Sequence, residues 1–446
     1  MKRIGLSLRL ASFLALIPGA YGADRADDFL NDYLKRKQIP GCAVMVRHNG
    51  KVVLSAGYGL ANIEHGVRVT PQTVFQSGSM GKQFTAMAVM MLAEEGKLSL
   101  DDPITKHLSV PSKKWSRITV RHLLTHTSGL GDYPEEFSLQ KDYTESEMLK
   151  IITAQPLGFA PGEKWNYSNL GYVTLGILIH KVTGAFYGEF LQERIFGPLG
   201  MKNTRVINEP DIIPNRAAGY ELKDGVLKNQ EWVAPTVNTT ADGSLYFTAE
   251  DIEKWDEALE AKKLLRPAGF EQIWTPVKLN DGSSAPYGFG WGIRKTDSGR
   301  PVLEHGGEWQ GFATFIARYP NDRLTVAILC NRAAADAAYI AKKVAGFYIP
   351  ELAPRTRAAV KPDPERLRSY AGDYRLEDRF TIKVTVAGDR LETIWRGQKM
   401  SMVPESETTF FEEDSDRTFR FIKDDNGKIA ALIISLPLEL TLRKLP

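Results

Sequence analysis

Apolar and polar positions divide the chain into distinct textures. Residues 26–37 carry apolar positions at helical spacing and stop before Pro40. Two apolar runs follow, 42–48 and 52–59, parted by Asn49-Gly50, a dipeptide suited to a two-residue hairpin turn. A very apolar stretch from about 80 to 95, closed by Gly96, predicts a buried helix. Residues 100–275 mix short helices with loops rich in Gly, Pro and Asn, and strand-like segments return at 302–304, 312–319 and 324–330, followed by a helix over 333–348. Strands at both ends with helices between them predict an α+β domain: an antiparallel sheet flanked by helices and completed by the late strands. Residues 351–361 read as a Pro-, Ala- and charge-rich linker. Beyond it, short alternating segments at 381–386, 391–395, 418–422, 429–435 and 438–442 predict a small antiparallel β-barrel or sandwich over 362–446.

The first 22 residues differ from the rest. Lys2 and Arg3 precede an apolar core at 10–17 and the small-x-small triplet Ala20-Tyr21-Gly22, with Pro18 and Gly19 expected to break any helix there. This is the pattern of a secretory signal, so residues 23–350 form the first folded domain and export to a periplasm or beyond is expected. No apolar run reaches the ~20 residues a spanning helix needs. Across 446 residues, 43% hydrophobic and 25% charged, the composition is that of an ordinary globular protein and excludes a disordered or fibrous chain. The 57 Lys+Arg against 54 Asp+Glu leave +3, and three of those cations (Lys2, Arg3, Arg9) fall in the leader. A balanced mature chain without basic–aromatic interleaving offers no case for nucleic acid or an anionic membrane. Two cysteines, Cys42 and Cys330, exclude a thiolate metal cluster; a disulfide and two buried free thiols both stay open.

Candidate chemistry centres on Ser77-Gly78-Ser79-Met80-Gly81-Lys82, at the head of the apolar helix. Ser79 and Lys82, three residues apart, share one helical face about one turn apart. A serine hydroxyl becomes a nucleophile when a neighbouring base takes its proton, and a lysine serves if burial and the helix N-terminus lower its pKa. Tyr167-Ser168-Asn169 follows a Pro161-Gly162 loop and precedes another apolar helix, and His305-Gly306-Gly307 lies on a strand-like segment.

In this order and spacing the three elements resemble the serine β-lactamase and penicillin-binding protein superfamily, specifically its class C β-lactamase, DD-peptidase and esterase branch. Residues 118–131, 198–204, 241–255 and 306–312 extend the likeness over most of residues 27–348, and Tyr370-Ala371-Gly372-Asp373-Tyr374 and 403–411 resemble the lipocalin-like β-domain appended to hydrolases of that branch. The resemblance implies an acyl-enzyme on Ser79, proton transfer shared by Lys82 and Tyr167, and Asn169 orienting Lys82 and the substrate amide. Tyr167 would first deprotonate Ser79, and the backbone N–H groups of Ser79 and Glu308 would hold the oxyanion. It implies neither metal nor organic cofactor. Where many members have Lys-Thr-Gly, this chain has His305-Gly306-Gly307, which removes a permanent cation and a hydroxyl for a substrate carboxylate. An ester, amide or peptide is therefore expected as substrate rather than efficient β-lactam turnover. Trp309 and Tyr133 are candidates for lining the cleft. The β-domain is expected near the cleft mouth, limiting substrate size, or in oligomer contacts; the oligomeric state itself is open.

Three other readings compete. His122 and His126 stand i and i+4, but without the Glu of H-E-x-x-H they read as packed histidines at a helix stop rather than zinc ligands. The α/β-hydrolase elbow G-x-S-x-G fails because Ser77, not Gly, precedes Ser79 by two. A penicillin sensor or wall-peptide-binding protein that acylates without turnover is the remaining alternative.

Overall fold

The computed structural model describes residues 18–110, 113–376, 380–395, 398–435 and 439–445. Most of the expected leader, residues 1–17, lies outside the described residues. The seven strands β1 (Gly41–His48), β2 (Lys51–Asn62), β3 (Val67–Arg68), β4 (Gly292–Lys295), β5 (Pro301–Trp309), β6 (Phe312–Tyr319) and β7 (Leu324–Cys330) form one sheet in the order β4-β5-β6-β7-β1-β2-β3. Every pairing in it is antiparallel. The β1–β2 turn follows from its residues: Asn49 at φ 51° and Gly50 at φ 79° both occupy the left-handed region, as a turn matching strand twist requires. Strand β5 is longer than its apolar pattern predicted, because the pattern breaks at Gly306-Gly307 while the backbone continues.

Six helices matter for the site: α1 (Pro18–Arg36), α2 (Lys82–Glu94), α3 (Val120–Leu124), α4 (Asn169–Thr183), α5 (Ala249–Glu260) and α6 (Ala337–Tyr348). Pro18 opens α1 instead of breaking it, since the first turn of a helix needs no N–H from its proline. The alternation of β1 assigns the layers. Cys42, Val44 and Val46 pack with α1 and α6, whereas Ala43 and Met45 join the core built by α2, α4 and α5. Cys42 and Cys330 are register partners between β1 and β7, buried free thiols with their sulfurs 3.3 Å apart.

One buried charge cluster ties α5 to the sheet. The Asp256 carboxylate accepts from Arg318 at 2.6 Å, the Thr325 hydroxyl at 2.9 Å and Arg47 at 3.1 Å. Asp256→Ala leaves Arg318 buried beside no carboxylate, so stability should fall by about 3–5 kcal/mol. Urea unfolding reads this directly, and a loss under 1 kcal/mol would contradict it.

The C-terminal strands β8 (Gly372–Leu376), β9 (Phe380–Ala387), β10 (Arg390–Trp395), β11 (Gln398–Pro404), β12 (Thr409–Phe411), β13 (Thr418–Lys423), β14 (Ile429–Ser435) and β15 (Glu439–Lys444) close into a barrel. Strands β8, β11 and β12 escape the alternation pattern because they are short or bounded by Gly372 and Pro404. The first residue of the fifth predicted segment, Leu438, lies outside the described residues. Tyr374, Leu391, Met402, Phe419 and Leu432 fill the interior. The barrel contacts α1 and α6, with Arg36 on Asp414 at 2.6 Å, Lys342 on Asp416 at 2.5 Å and the Ser415 hydroxyl on Asp336 at 2.5 Å. Among the described residues no helix is long and apolar enough to cross a membrane.

Candidate active site

A 3-10 turn, Gly78–Gly81, carries Ser79 and runs directly into α2 at Lys82. Because α2 is apolar nearly all round, it is buried on every side, and Lys82 goes with it to zero exposure. Its Nζ lies 2.9 Å from the Ser79 Oγ and 2.8 Å from the Asn169 Oδ1, and it also meets the backbone carbonyl of Asp242. Burial pulls the Lys82 pKa down to about 8, against the opposing attraction of Asp242 and Asp132. The chemistry of those three contacts decides what the neutral amine can do. Asn169 Oδ1 and the Asp242 carbonyl only accept, so they take both N–H bonds of an –NH2 group, leaving its lone pair toward the Ser79 hydroxyl.

Asn169 is itself held. Its Nδ2 donates to Asp132 Oδ1 at 3.0 Å, while Ser168 caps α4 by accepting from the Gly171 N–H at 3.0 Å. Tyr167, immediately before the cap, has its ring centroid 5.0 Å from the Lys82 Nζ. Its hydroxyl is buried without a hydrogen bond of ordinary geometry, although Ser79 is near enough to hold its pKa down. Burial wins, and the phenol sits well above its usual pKa of 10.0. In the free protein Lys82 is therefore the more easily deprotonated of the two groups.

Strand β5 brings the third element. Its backbone abuts the Ser79 turn: a Cβ on Gly307 would stand 2.0 Å from the Ser77 carbonyl oxygen, and one on Gly78 would stand 2.5 Å from the Glu308 nitrogen. Gly78 also holds φ 51°. Glycine is required on both sides of this approach, which brings the Glu308 amide beside the turn that carries Ser79. His305 donates from Nδ1 to the Gly306 carbonyl at 2.6 Å and accepts at Nε2 from the Tyr287 hydroxyl at 2.8 Å. Burial, with Lys82 and Arg294 nearby, pushes its pKa to about 3, so the imidazole is neutral. Of the predicted cleft aromatics, Tyr133 donates to Asp242 Oδ2 at 3.2 Å and Trp309 to Asn238 Oδ1 at 2.7 Å.

The two histidines weighed as zinc ligands, His122 and His126, serve the backbone. His122 Nδ1 accepts from the Thr119 N–H at 3.1 Å in the capping box of α3, and His126 Nδ1 accepts from the Ser168 N–H at 3.1 Å. His126 also stacks 4.2 Å from Tyr167, ring to ring.

A family model described as beta-lactamase matches residues 26–347. The chain belongs to the beta-lactamase family. A second model, a domain of unknown function (DUF3471), matches residues 356–445. Penicillin-binding protein 4* of Bacillus subtilis is 30% identical over 394 residues, which cover 82% of this beta-lactamase-family chain and 87% of that protein. The octameric penicillin-binding protein homologue from Pyrococcus abyssi superposes over 94% of this chain and 99% of its own, with TM-score 0.69 and 26% identity. The D-amino acid amidase from Ochrobactrum anthropi SV3, solved with L-phenylalanine amide, covers 74% of this chain and 97% of its own, with TM-score 0.63 and 25% identity.

In this beta-lactamase-family site, sequence reading missed Asp132, Asp242, Tyr287 and the contacts of His126 with the Ser168 N–H and the Tyr167 ring. The stretch beginning Ala241-Asp242-Gly243 carried a family likeness, yet a backbone carbonyl that accepts from a buried amine leaves no mark on residue type. Tyr167→Phe deletes a buried hydroxyl that makes no hydrogen bond of ordinary geometry, so thermal stability should hold or rise slightly. Hydrolysis should nevertheless fall about 10²–10⁴-fold, the usual worth of a positioned proton donor. Kinetics and a melting curve on one preparation test both halves.

Proposed function

We propose that this protein is an exported serine hydrolase that cleaves an ester or amide bond through an acyl-enzyme on Ser79. Neutral Lys82 removes the Ser79 proton as Oγ attacks the substrate carbonyl. The backbone N–H groups of Ser79 and Glu308 hold the resulting oxyanion. The proton returns through Tyr167 to the leaving alcohol or amine, which departs and leaves an ester on Ser79. Water then repeats the attack in reverse, with the same bases returning Ser79 to its free hydroxyl.

The observation that carries this reading is the three-point seating of Lys82, which aims its lone pair at the Ser79 hydroxyl. The substrate preference is supported by the neutral state of His305, which offers an imidazole where a substrate carboxylate would otherwise meet a cation. The likeness to a D-amino acid amidase supports amides of D-amino acids as the first class to try. Export rests on the signal-like pattern of residues 1–22.

The test is a panel of p-nitrophenyl esters, D-amino-acid amides, peptides ending in D-Ala-D-Ala and nitrocefin, with intact-mass detection of the acyl-enzyme. Turnover of an ester or amide with little nitrocefin hydrolysis is expected. Efficient nitrocefin turnover would overturn the substrate assignment, and a stable penicillin adduct without turnover of any panel member would convert the protein into a sensor.

A further inference from the structure

On the face of the sheet away from α2, a cavity of 280 Å³ lies between α1, the segment following β7 and the barrel. That volume suits a small metabolite-sized ligand. Its walls carry five basic side chains against three acidic ones. The acids are engaged within the protein, two of them by arginines of the same walls. Asp336 accepts from the Ser415 hydroxyl at 2.5 Å and the Tyr339 N–H at 3.0 Å, Glu412 from Arg417 at 2.9 Å, and Asp414 from Arg36 at 2.6 Å.

Arg332 is the exception among the walls. It is 4% exposed, and its Nε is buried with no hydrogen bond. Among the described residues its Nη1 donates to the neighbouring Ala333 carbonyl, at 3.3 Å. The backbone fixes it there, since Arg332 bridges Tyr220 and the next N–H donates to the Tyr220 carbonyl at 2.9 Å. A guanidinium keeps its charge when buried, and although the Glu308 carboxylate attracts Arg332, the buried Nε donor is left unanswered. Its planar fork matches an oxyanion bidentately. We propose that this interdomain cavity is a binding site for a small oxyanion, a carboxylate or phosphate group, held by Arg332 with Lys37, while Arg417 and Arg36 stay paired to Glu412 and Asp414. It is separate from the Ser79 cleft and does not rest on the hydrolase reading.

Calorimetric titration of the full-length protein with sodium phosphate and with sodium malonate, at constant ionic strength set by sodium chloride, tests this. One saturable site is expected for at least one anion, and the tighter of the two identifies the ligand as a phosphate or a carboxylate. Arg332→Gln should weaken binding about tenfold or more, the usual cost of losing hydrogen bonds to a charged group. Ser79→Ala should bind the anion unchanged, whatever its effect on hydrolysis. If circular dichroism shows Arg332→Gln misfolded, Arg332→Lys decides, because it keeps the charge and loses the fork, and the same tenfold weakening is expected. Absence of saturation with both anions, or unaltered affinity in the folded Arg332 variant, overturns the site.

Discussion

Ser79→Ala should lower kcat/KM toward the best ester or amide substrate by about 10⁵–10⁶-fold, the scale on which serine hydrolases lose their nucleophile. The substitution removes the atom that would carry the acyl group, and the other hydroxyl of the turn cannot replace it. Ser77 points the other way, with its Oγ on the Gly243 carbonyl at 2.6 Å. The fold should persist. Lys82 keeps Asn169 and the Asp242 carbonyl as acceptors, and the Ser79 turn is held from behind by Thr314, whose hydroxyl donates to the Ser77 carbonyl at 2.6 Å. The check is a paired measurement: steady-state kinetics, and intact mass after incubation with substrate, where the wild type shows an acyl adduct and the variant shows none. Residual turnover within a hundredfold of wild type would mean that the nucleophile lies elsewhere.

Lys82→Met should cost about 10³–10⁴ in kcat/KM, toward the upper end for general-base catalysis, while leaving a chain of similar length in the core. The wild-type pH profile identifies the same group. With its pKa drawn down to about 8 by burial, Lys82 is the proton acceptor only above that value, so kcat/KM should climb with pH and level off past it. Stability carries the matching signature. The folded pKa lies below the ordinary 10.5, so between the two values the unfolded chain binds more protons and folding becomes more favourable as pH rises. The penalty for burying the ammonium, about 3 kcal/mol, is fully present below pH 8 and fades toward 10.5. Lys82→Met should remove this slope from the denaturation midpoint. A methionine variant with undiminished activity, or a wild-type rate flat through pH 8, would exclude Lys82 as the base.

The unequal legibility of this site has a physical basis. Ser79 and Lys82 sit one turn apart, a relation contained in helix geometry once the apolar stretch after Gly81 is recognised. Asn49-Gly50 specified its turn for the same reason, because few residues tolerate two consecutive left-handed positions. Strand β5 was cut short because glycine carries no pattern, although Gly307 is what lets the strand approach the Ser77 carbonyl. The missed strands of the barrel have the same cause, since a three-residue strand such as β12 has no room to alternate.

By itself the sequence determined the α+β architecture, the family likeness and the set of polar groups available: a hydroxyl, an amine, a phenol, an amide and an imidazole at recognisable positions. The architecture depends on periodicity, turn preference and spacing, which act over a few residues, and the likeness on the order of its short motifs. Only the tertiary structure decided what those groups are chemically. Packing α4 against α2 carries Asn169 to Lys82 across 87 positions. Burial then turns lysine into an available base, keeps tyrosine a phenol and strips histidine of its charge. Desolvation depends on everything that surrounds a group in space, and no local pattern along the chain encodes it.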